Sequence, residues 1–206
     1  MGVPLARPYA FLPFSMYEIR WHSRAGQGAI TVANALCEII AHEKLEIFSQ
    51  SFPDFGAEKK GAAVVVFNRF SEEPIEENYH IEHPNVVVFL DTSLINEAEL
   101  SYEDILKGLE ENGNILLNTS QEKTQFSEKF SGTVFHVPGT VIATQEIGRN
   151  IPNVPLLGAL LKITNLLSIE KFLPALEKYL LESLPPKVVA GNLRAFQRGY
   201  DEVRKV

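Results

Sequence analysis

The chain has 206 residues, of which 45% are hydrophobic and 22% are charged, as is typical of a folded globular protein. Its formal net charge of −7 argues against non-specific binding to nucleic acid or to anionic membranes, because both require a basic surface. The single cysteine, Cys37, excludes an internal disulfide and a self-contained iron–sulfur cluster, since a cluster normally needs four thiolates.

Apolar runs in the chain are far shorter than the roughly 20 residues of a membrane-spanning helix. The first fifteen residues, MGVPLARPYAFLPFS, carry three prolines and do not look like the helical core of a signal peptide. We interpret residues 1–15 as an N-terminal extension and residues 16–206 as one domain, and we expect a cytoplasmic protein. The five histidines are scattered, so no metal site is predicted.

The first predicted elements are a strand over Tyr17–His22 and a helix over Gln27–Glu43, in which apolar residues recur at helical spacing. RAGQG, residues 24–28, is therefore a strand-to-helix loop. A short strand is predicted at residues 45–50, followed by a loop at residues 51–61 because Pro53 and two glycines interrupt regular structure.

Later strands are predicted at residues 62–70, 86–91, 114–120 and 133–137, with a short helix at residues 101–109. The strand at 86–91 ends in Asp91, at the edge where α/β proteins usually place function. From Thr140 onward the pattern is helical. This order predicts an α/β protein, a three-layer α/β/α sandwich with a mixed, mostly parallel sheet and a helical C-terminal segment.

The RAGQG loop suits either a tight turn or an anion site. Gly26 and Gly28 permit close backbone approach, and the following helix presents unpaired amides to a phosphate or carboxylate. Arg24 and Gln27 favour the anion site slightly, since a guanidinium recognises paired oxygens. The loop is neither a G-x-G-x-x-G fingerprint nor a Walker loop.

The second loop, FPDFGAEKKG, combines Phe52 and Phe55 with Lys59 and Lys60. Exposed aromatics favour contact with a partner protein over a solvated loop. The two lysines, and Arg69 if it lies nearby, are alternatively candidates for a phosphate-bearing ligand.

Three other features receive structural interpretations. Cys37 lies on the apolar stripe of its helix, which predicts a small buried hydrophobe. Asn153 is a candidate helix cap. Ser49 or Ser51 with His136 and Asp91 would give a hydrolase triad only weakly, because the chain lacks a G-x-S-x-G elbow.

Four segments in the same order, SRAGQGAITVANAL, SFPDFGAEKKGAAVVVFNRFSEEPI, NIPNVPLLGALLK and AGNLRAFQRGYDEV, resemble the γ subunit of the 2-oxoacid:ferredoxin oxidoreductases. The likeness runs from Met16 to Val203 and is greatest to the pyruvate:ferredoxin oxidoreductase (pyruvate synthase) branch. In that family the first loop commonly reads Gly-Arg-Gly-Gly-Gln-Gly, so Ser23 and Ala25 depart from it here, and an arginine usually stands where Lys59 or Lys60 does.

The resemblance implies a subunit of an enzyme that oxidatively decarboxylates a 2-oxoacid, forms acyl-coenzyme A and reduces ferredoxin. It implies α, β and δ subunits as partners, with thiamine diphosphate, Mg²⁺ and [4Fe-4S] clusters held by those other chains. No catalytic residue is assigned to this chain. It would serve as scaffold and as a wall of the coenzyme A pocket through Arg24, Gly26, Gln27, Gly28, Lys59 and Lys60.

Two alternatives stay open at this point. One is a free-standing nucleotide- or phosphate-binding module, and the other is a γ subunit for a different 2-oxoacid, such as 2-oxoisovalerate, an aryl oxoacid or 2-oxoglutarate. A scaffold without any ligand contact is a further reading of the exposed aromatics.

Overall fold

The computed structural model of the chain describes residues 16–44, 46–55, 62–95, 108–109, 112–121, 130 and 132–206. Its centre is a seven-stranded sheet with the order β2-β3-β1-β4-β5-β6-β7. The strands are β1 (Met16–Arg24), β2 (Phe48–Phe55), β3 (Ala63–Ser71), β4 (Val86–Phe89), β5 (Asn114–Asn118), β6 (Thr133–Val137) and β7 (Arg204–Lys205).

Strand direction divides the sheet into two parts. β1, β4, β5 and β6 are parallel neighbours, whereas β3 is antiparallel to both β1 and β2, and β7 is antiparallel to β6. Five of the seven strands therefore run in one direction, which confirms the predicted mixed and mostly parallel sheet.

The helices of the described residues pack on one face of this sheet. They are α1 (Ala29–Glu43), α2 (Gly139–Ile147), α3 (Asn153–Thr164), α4 (Ile169–Leu181) and α5 (Pro186–Glu202). All five contribute to one core cluster with side chains of the central strands. The α/β class and the helical C-terminal segment are thus confirmed, and no helix in the described part of the chain is long and apolar enough to cross a membrane.

A second, smaller cluster covers the opposite face of the parallel strands. Val87, Phe89, Ile115 and Leu117 form it with residues from the 3-10 turn Thr92–Ile95 and from β6. The helix predicted at residues 101–109 lies outside the described residues apart from its last two positions.

The second strand differs from its prediction. Residues 51–55 were expected in a loop, yet β2 continues through them to Phe55, with Pro53 opposite Val66 of β3. A proline is tolerated here because β2 is an edge strand of the described sheet, where a missing amide hydrogen disrupts only one ladder. Strand β7 was not anticipated at all, since two residues are too few for a periodic signal.

A buried polar pair fixes the contact between β1, β3 and α1. The indole Nε1 of Trp21 donates to Oδ1 of Asn68 at 2.7 Å, and the Asn68 amide donates to the Ala33 carbonyl and to the Cys37 sulfur. Cys37 is buried as predicted, and burial raises the pKa of its thiol to about 12. The asparagine on β3 therefore satisfies polar groups on one neighbouring strand, β1, and on one helix, α1.

Glycines allow α3 and α5 to approach closely. A methyl group added at Gly199 of α5 would overlap the Pro155 carbonyl of α3, and one added at Gly158 would overlap the Phe196 carbonyl of α5. Both overlaps are with backbone atoms, which cannot move aside without displacing a helix. The two glycines therefore set the distance between the helices.

We expect Gly199→Ala to destabilise the fold by roughly 1–3 kcal/mol, although alanine normally stabilises a helix interior by about 1 kcal/mol relative to glycine. The overlap with the Pro155 carbonyl outweighs the gain in helix propensity, so the net change in the free energy of unfolding should be a loss. Ala190→Gly on the exposed side of the same helix measures the propensity effect alone. Urea unfolding followed by circular dichroism distinguishes the two, and a stabilised Gly199→Ala chain would contradict the close approach.

Candidate functional site

Polar side chains converge where β1 and β4 end. The two strands are parallel with His22 opposite Phe89, so Arg24 and Asp91 each lie two residues further on at the same edge. Arg24 Nε donates to Asp91 Oδ2 at 3.1 Å, and its Nη2 donates to the Ser93 hydroxyl at 2.9 Å. The glycine loop is thus tied to the start of the 3-10 turn after β4.

Gln27 closes the loop on itself. Its side-chain carbonyl accepts from the Arg24 backbone N–H at 2.8 Å, its backbone N–H donates to the Arg24 carbonyl at 3.1 Å, and its side-chain amide donates to Asp91 Oδ2 at 3.1 Å. Arg24 and Gln27 therefore share one carboxylate oxygen, and these hydrogen bonds hold the loop in one conformation.

The two glycines of the loop are required by its backbone. Gly26 and Gly28 have φ values of 94° and 76°, a region that favours glycine. Neither Ser23 nor Ala25 has a positive φ, so the two departures from the family's glycine pattern cost the backbone nothing. Ser23 is buried with its hydroxyl donating to the Val64 carbonyl, and Ala25 is exposed.

Helix α1 begins directly after the loop with an uncapped first turn. Gly28 is its cap residue, no side chain caps the turn, and the turn contains no acidic residue. Amide hydrogens at a helix start carry a partial positive charge and bind anions. The loop and the helix start together can hold a phosphate or a carboxylate.

Asn153, at the start of α3, links that helix to the glycine loop. Its side-chain amide donates to the Gly28 carbonyl at 3.1 Å, while its Oδ1 accepts from the Val154 backbone N–H at 2.8 Å. The cap residue of α3 is Pro152, so the predicted capping role of Asn153 is wrong. Asn153 is instead the first residue of the helix, and its link to Gly28 across 125 residues was not foreseen. A methyl group added at Gly28 would overlap the Asn153 amide nitrogen.

The carboxylate of Asp91 is held in its charged form. Burial acts to raise its pKa, but hydrogen bonds from the side chain and backbone of Ser93, a hydrogen bond from Gln27 and the charge of Arg24 together lower the pKa below its ordinary value. An ionised Asp91 keeps Arg24 in place, and an incoming anion would share the guanidinium with it.

The first turn of α2, at the same edge of the sheet, has a side-chain partner for one of its backbone amides. Asn118, at the end of β5, accepts from the Thr140 backbone N–H at 3.0 Å, and its amide donates to the Leu90 carbonyl and the Thr140 hydroxyl. Neither α1 nor α2 has a capping side chain on its own cap residue, but Asn118 binds an amide in the first turn of α2. Sequence reasoning missed Asn118 and Ser93, and it missed the bond from Asn153 to Gly28, because each of these contacts joins residues distant in the chain.

His22 lies on β1 two residues before Arg24. It is buried and stacks on Phe89 with ring centroids 4.8 Å apart, and neither ring nitrogen has a hydrogen-bond partner among the described residues. Burial, with a smaller contribution from the charge of Arg20, lowers its pKa to about 3. The alternation Arg20, His22, Arg24 along one face of β1 was the available sequence signal for this polar face.

The lysines of the second loop, Lys59 and Lys60, lie outside the described residues. The ends of their segment are nevertheless fixed next to the glycine loop, because the Ala25 N–H donates to the Ala62 carbonyl at 3.0 Å and Phe55 pairs with Val64.

Arg69 does not belong to this site. Its side chain is fully buried, its Nε donates to Glu18 at 2.7 Å, and its remaining groups donate to Gln50 and to the carbonyls of Glu77 and Tyr79. The guanidinium lies between the rings of Phe52 and Tyr79. The suggestion that Arg69 contacts a phosphate is therefore wrong, and the residue instead anchors the segment that follows β3.

The weak hydrolase hypothesis is also wrong. Ser49 and Ser51 are on β2 and His136 is on β6, five strand spacings or about 24 Å across the sheet. The Ser51 hydroxyl bonds to Asn34, and His136 lies next to the Thr119 carbonyl. Among the described residues there is also no group of three or more His, Cys, Asp or Glu side chains arranged to bind a metal.

Residues 18–202 match the protein family described as "Pyruvate ferredoxin/flavodoxin oxidoreductase". The chain is 39% identical over 204 residues to "Pyruvate synthase subunit PorC" of Thermotoga maritima, which covers 98% of each chain. It is 37% identical over 186 residues, 89% of this chain and 97% of the other, to "Pyruvate/ketoisovalerate oxidoreductases common subunit gamma" of Pyrococcus abyssi.

A solved structure agrees with these matches. The crystal structure of pyruvate oxidoreductase subunit PORC from Thermotoga maritima superposes with a TM-score of 0.78 at 38% sequence identity, covering 93% of this chain and 99% of that one. The fold and the sequence thus point to the same group of proteins.

We expect Gly28→Ala to destabilise the chain by at least about 1 kcal/mol more than Gly148→Ala. The two glycines have nearly the same φ, 76° and 75°, but an added methyl overlaps Asn153 at Gly28 and meets nothing within 4 Å at Gly148. Urea unfolding of both variants isolates the overlap. Adding Asn153→Ala to Gly28→Ala should recover part of the difference, and equal losses in the two single variants would refute the contact.

His22 should make the fold sensitive to acid. Because its folded pKa is lowered to about 3, its neutral form stabilises the fold fully above the unfolded pKa of about 6.5, and this contribution is lost as the pH falls from there. Between neutral pH and pH 5 we expect a loss of about 2 kcal/mol that His22→Leu abolishes.

The matched control is His42→Leu on α1, where the imidazole is 75% exposed and loses little hydration on folding. Urea titrations at pH 7, 6 and 5 measure the slope for each chain. The same slope in wild type and His22→Leu would show that His22 does not carry the effect.

Proposed function

The chain belongs to the pyruvate ferredoxin/flavodoxin oxidoreductase family, and we propose that its RAGQG loop forms a wall of the coenzyme A pocket in that enzyme. Its relatives are γ subunits of multi-subunit oxoacid:ferredoxin oxidoreductases, and this chain is such a subunit. Such enzymes convert a 2-oxoacid and coenzyme A into acyl-coenzyme A and CO₂ while passing electrons to ferredoxin.

Pyruvate is the 2-oxoacid that the comparisons favour. The relatives from Thermotoga maritima and Methanothermobacter marburgensis are both named pyruvate synthase subunits, and they match over more than nine-tenths of the chain. The free-standing nucleotide-binding module is disfavoured, because proteins matched over this length are named as subunits. The Pyrococcus abyssi protein is named as common to pyruvate and ketoisovalerate oxidoreductases, which keeps 2-oxoisovalerate as the second candidate substrate.

The proposal for coenzyme A rests on the uncapped start of α1 beside Arg24. Coenzyme A carries phosphate groups, and amides at a helix start together with a guanidinium bind phosphate oxygens. Gly26 and Gly28 bring the backbone close to the ligand, while Gln27 and Asp91 hold the loop and Arg24 in one arrangement. Lys59 and Lys60 would add charge from the adjoining segment.

The other components are proposed for the partner chains. Thiamine diphosphate with Mg²⁺ and the [4Fe-4S] clusters would reside on the α, β and δ subunits, since one cysteine cannot ligate a cluster. Thiamine diphosphate supplies carbanion stabilisation at the 2-oxoacid, and the clusters accept the electrons. Within this scheme the residues of the present chain bind and orient coenzyme A and exchange no proton or electron. We place the enzyme in the cytoplasm with ferredoxin as the acceptor.

Charge reversal of both loop lysines, Lys59→Glu with Lys60→Glu, should raise the KM for coenzyme A at least about tenfold in the assembled enzyme. The kcat should stay near the wild-type value, because a phosphate contact made equally in the ground and transition states changes KM alone. Steady-state kinetics with varied coenzyme A and saturating pyruvate and ferredoxin measure the split.

Lys171→Glu is the matched control. Burial and then the charge of Lys171 lower the pKa of Lys44, so the two lysines are close together. Lys44 follows the last residue of α1, about 22 Å from the glycine loop along the helix. Gel filtration of each variant complex verifies assembly. An intact double variant with an unchanged KM would leave the second loop without a role in binding coenzyme A, and loss of assembly would indicate a scaffold role instead.

A further inference from the structure

An open groove lies between the last two turns of α1 and helix α4, away from the glycine loop. Its volume is about 320 Å³. Ile39, Pro174, Ala175 and the ring of Tyr179 provide its apolar lining. This volume accommodates one or two large side chains, and no side chain of the described residues fills it.

The rim of the groove is acidic. It carries three carboxylates, from Glu38, Glu43 and Glu182, but only one lysine, Lys178, together with the exposed His42. The side chains of Glu38 and Glu182 make no hydrogen bond or ion pair with any other described residue. Burial and then the charges of these two glutamates raise the pKa of Tyr179, so the negative field extends over the lining.

The N-terminal extension has the complementary chemistry. Residues 1–15 carry Arg7 and no acidic residue, together with Tyr9, Phe11 and Phe14. Three prolines restrict the backbone of the segment, which lowers the entropy lost when it binds. Proline-bearing segments with a basic residue commonly dock against aromatic-lined surfaces.

The extension joins the described chain at Met16, which lies near the end of α1 that borders the groove. Met16 and Phe48 both pair with Ser71 of β3, so they lie two strand spacings, or about 10 Å, apart. Phe48 follows the last residue of α1, Glu43, by only five positions. Fifteen residues reach up to about 50 Å, so the groove is well within range of the chain that precedes Met16.

We propose that residues 1–15 dock in the groove between α1 and α4, with Arg7 against the glutamates of the rim and aromatic side chains on Tyr179 and Pro174. The segment would then cover a surface that α1 and α4 leave open. This assignment does not depend on the binding of coenzyme A.

Disulfide trapping in the full-length chain tests the contact. In the variant Ala6→Cys with Lys178→Cys, mild oxidation should join the two cysteines within one chain, as shown by peptide mapping. The matched control, Ala6→Cys with Val188→Cys, places the second cysteine at an exposed position outside the groove and should stay mostly reduced. Equal trapping in both chains, or none in either, would overturn the proposal.

Charge reversal on the rim of the groove and at Arg7 tests whether electrostatic attraction directs the docking. Glu38→Lys with Glu182→Lys should lower the trapped fraction several-fold at low ionic strength, and adding Arg7→Glu to that chain should restore it. The same trapping is repeated in the assembled enzyme. Disulfide-linked dimers would assign the groove to a second copy, and a link to another subunit would assign it to a partner; either result defeats the proposal.

Discussion

The ion pair between Arg24 and Asp91 is the contact on which the candidate site depends. It joins the carboxyl ends of two parallel strands, and Gln27 donates to the same carboxylate oxygen. Because the pKa of Asp91 lies below its ordinary value, the pair stays charged across the range in which the protein would work. Because these bonds hold the loop in one arrangement, a phosphate that binds there would lose little free energy in ordering the chain.

This arrangement explains how the loop departs from the glycine pattern of its family without losing its shape. Only Gly26 and Gly28 occupy left-handed backbone conformations within the loop. Ser23 instead gives its hydroxyl to the neighbouring strand, and Ala25 points its methyl group toward solvent. The shape of the loop therefore depends on two glycines, one arginine and one glutamine, all of which are present here.

The sequence predicted much of the fold and only part of the site. Hydrophobic periodicity located β1, α1 and the four C-terminal helices because each has a long amphipathic or apolar pattern. It placed β2 too early, since Pro53 resembles a loop signal and the tolerance of an edge strand is a tertiary property. Asn153 and Asp91 act on the loop across 125 and 67 residues, and a single sequence contains no measure of such proximity. Lys59 and Lys60 remain predictions.

The joint between β1 and β3 gives the chain a built-in spectroscopic reporter. Trp21 is the sole tryptophan, it is fully buried, and its indole bonds to Asn68 on the adjoining strand, three residues before the glycine loop. Its emission therefore reports the integrity of that joint and little else. Separation of β1 from β3 on unfolding would be followed by one fluorophore whose position is known, without any label being attached.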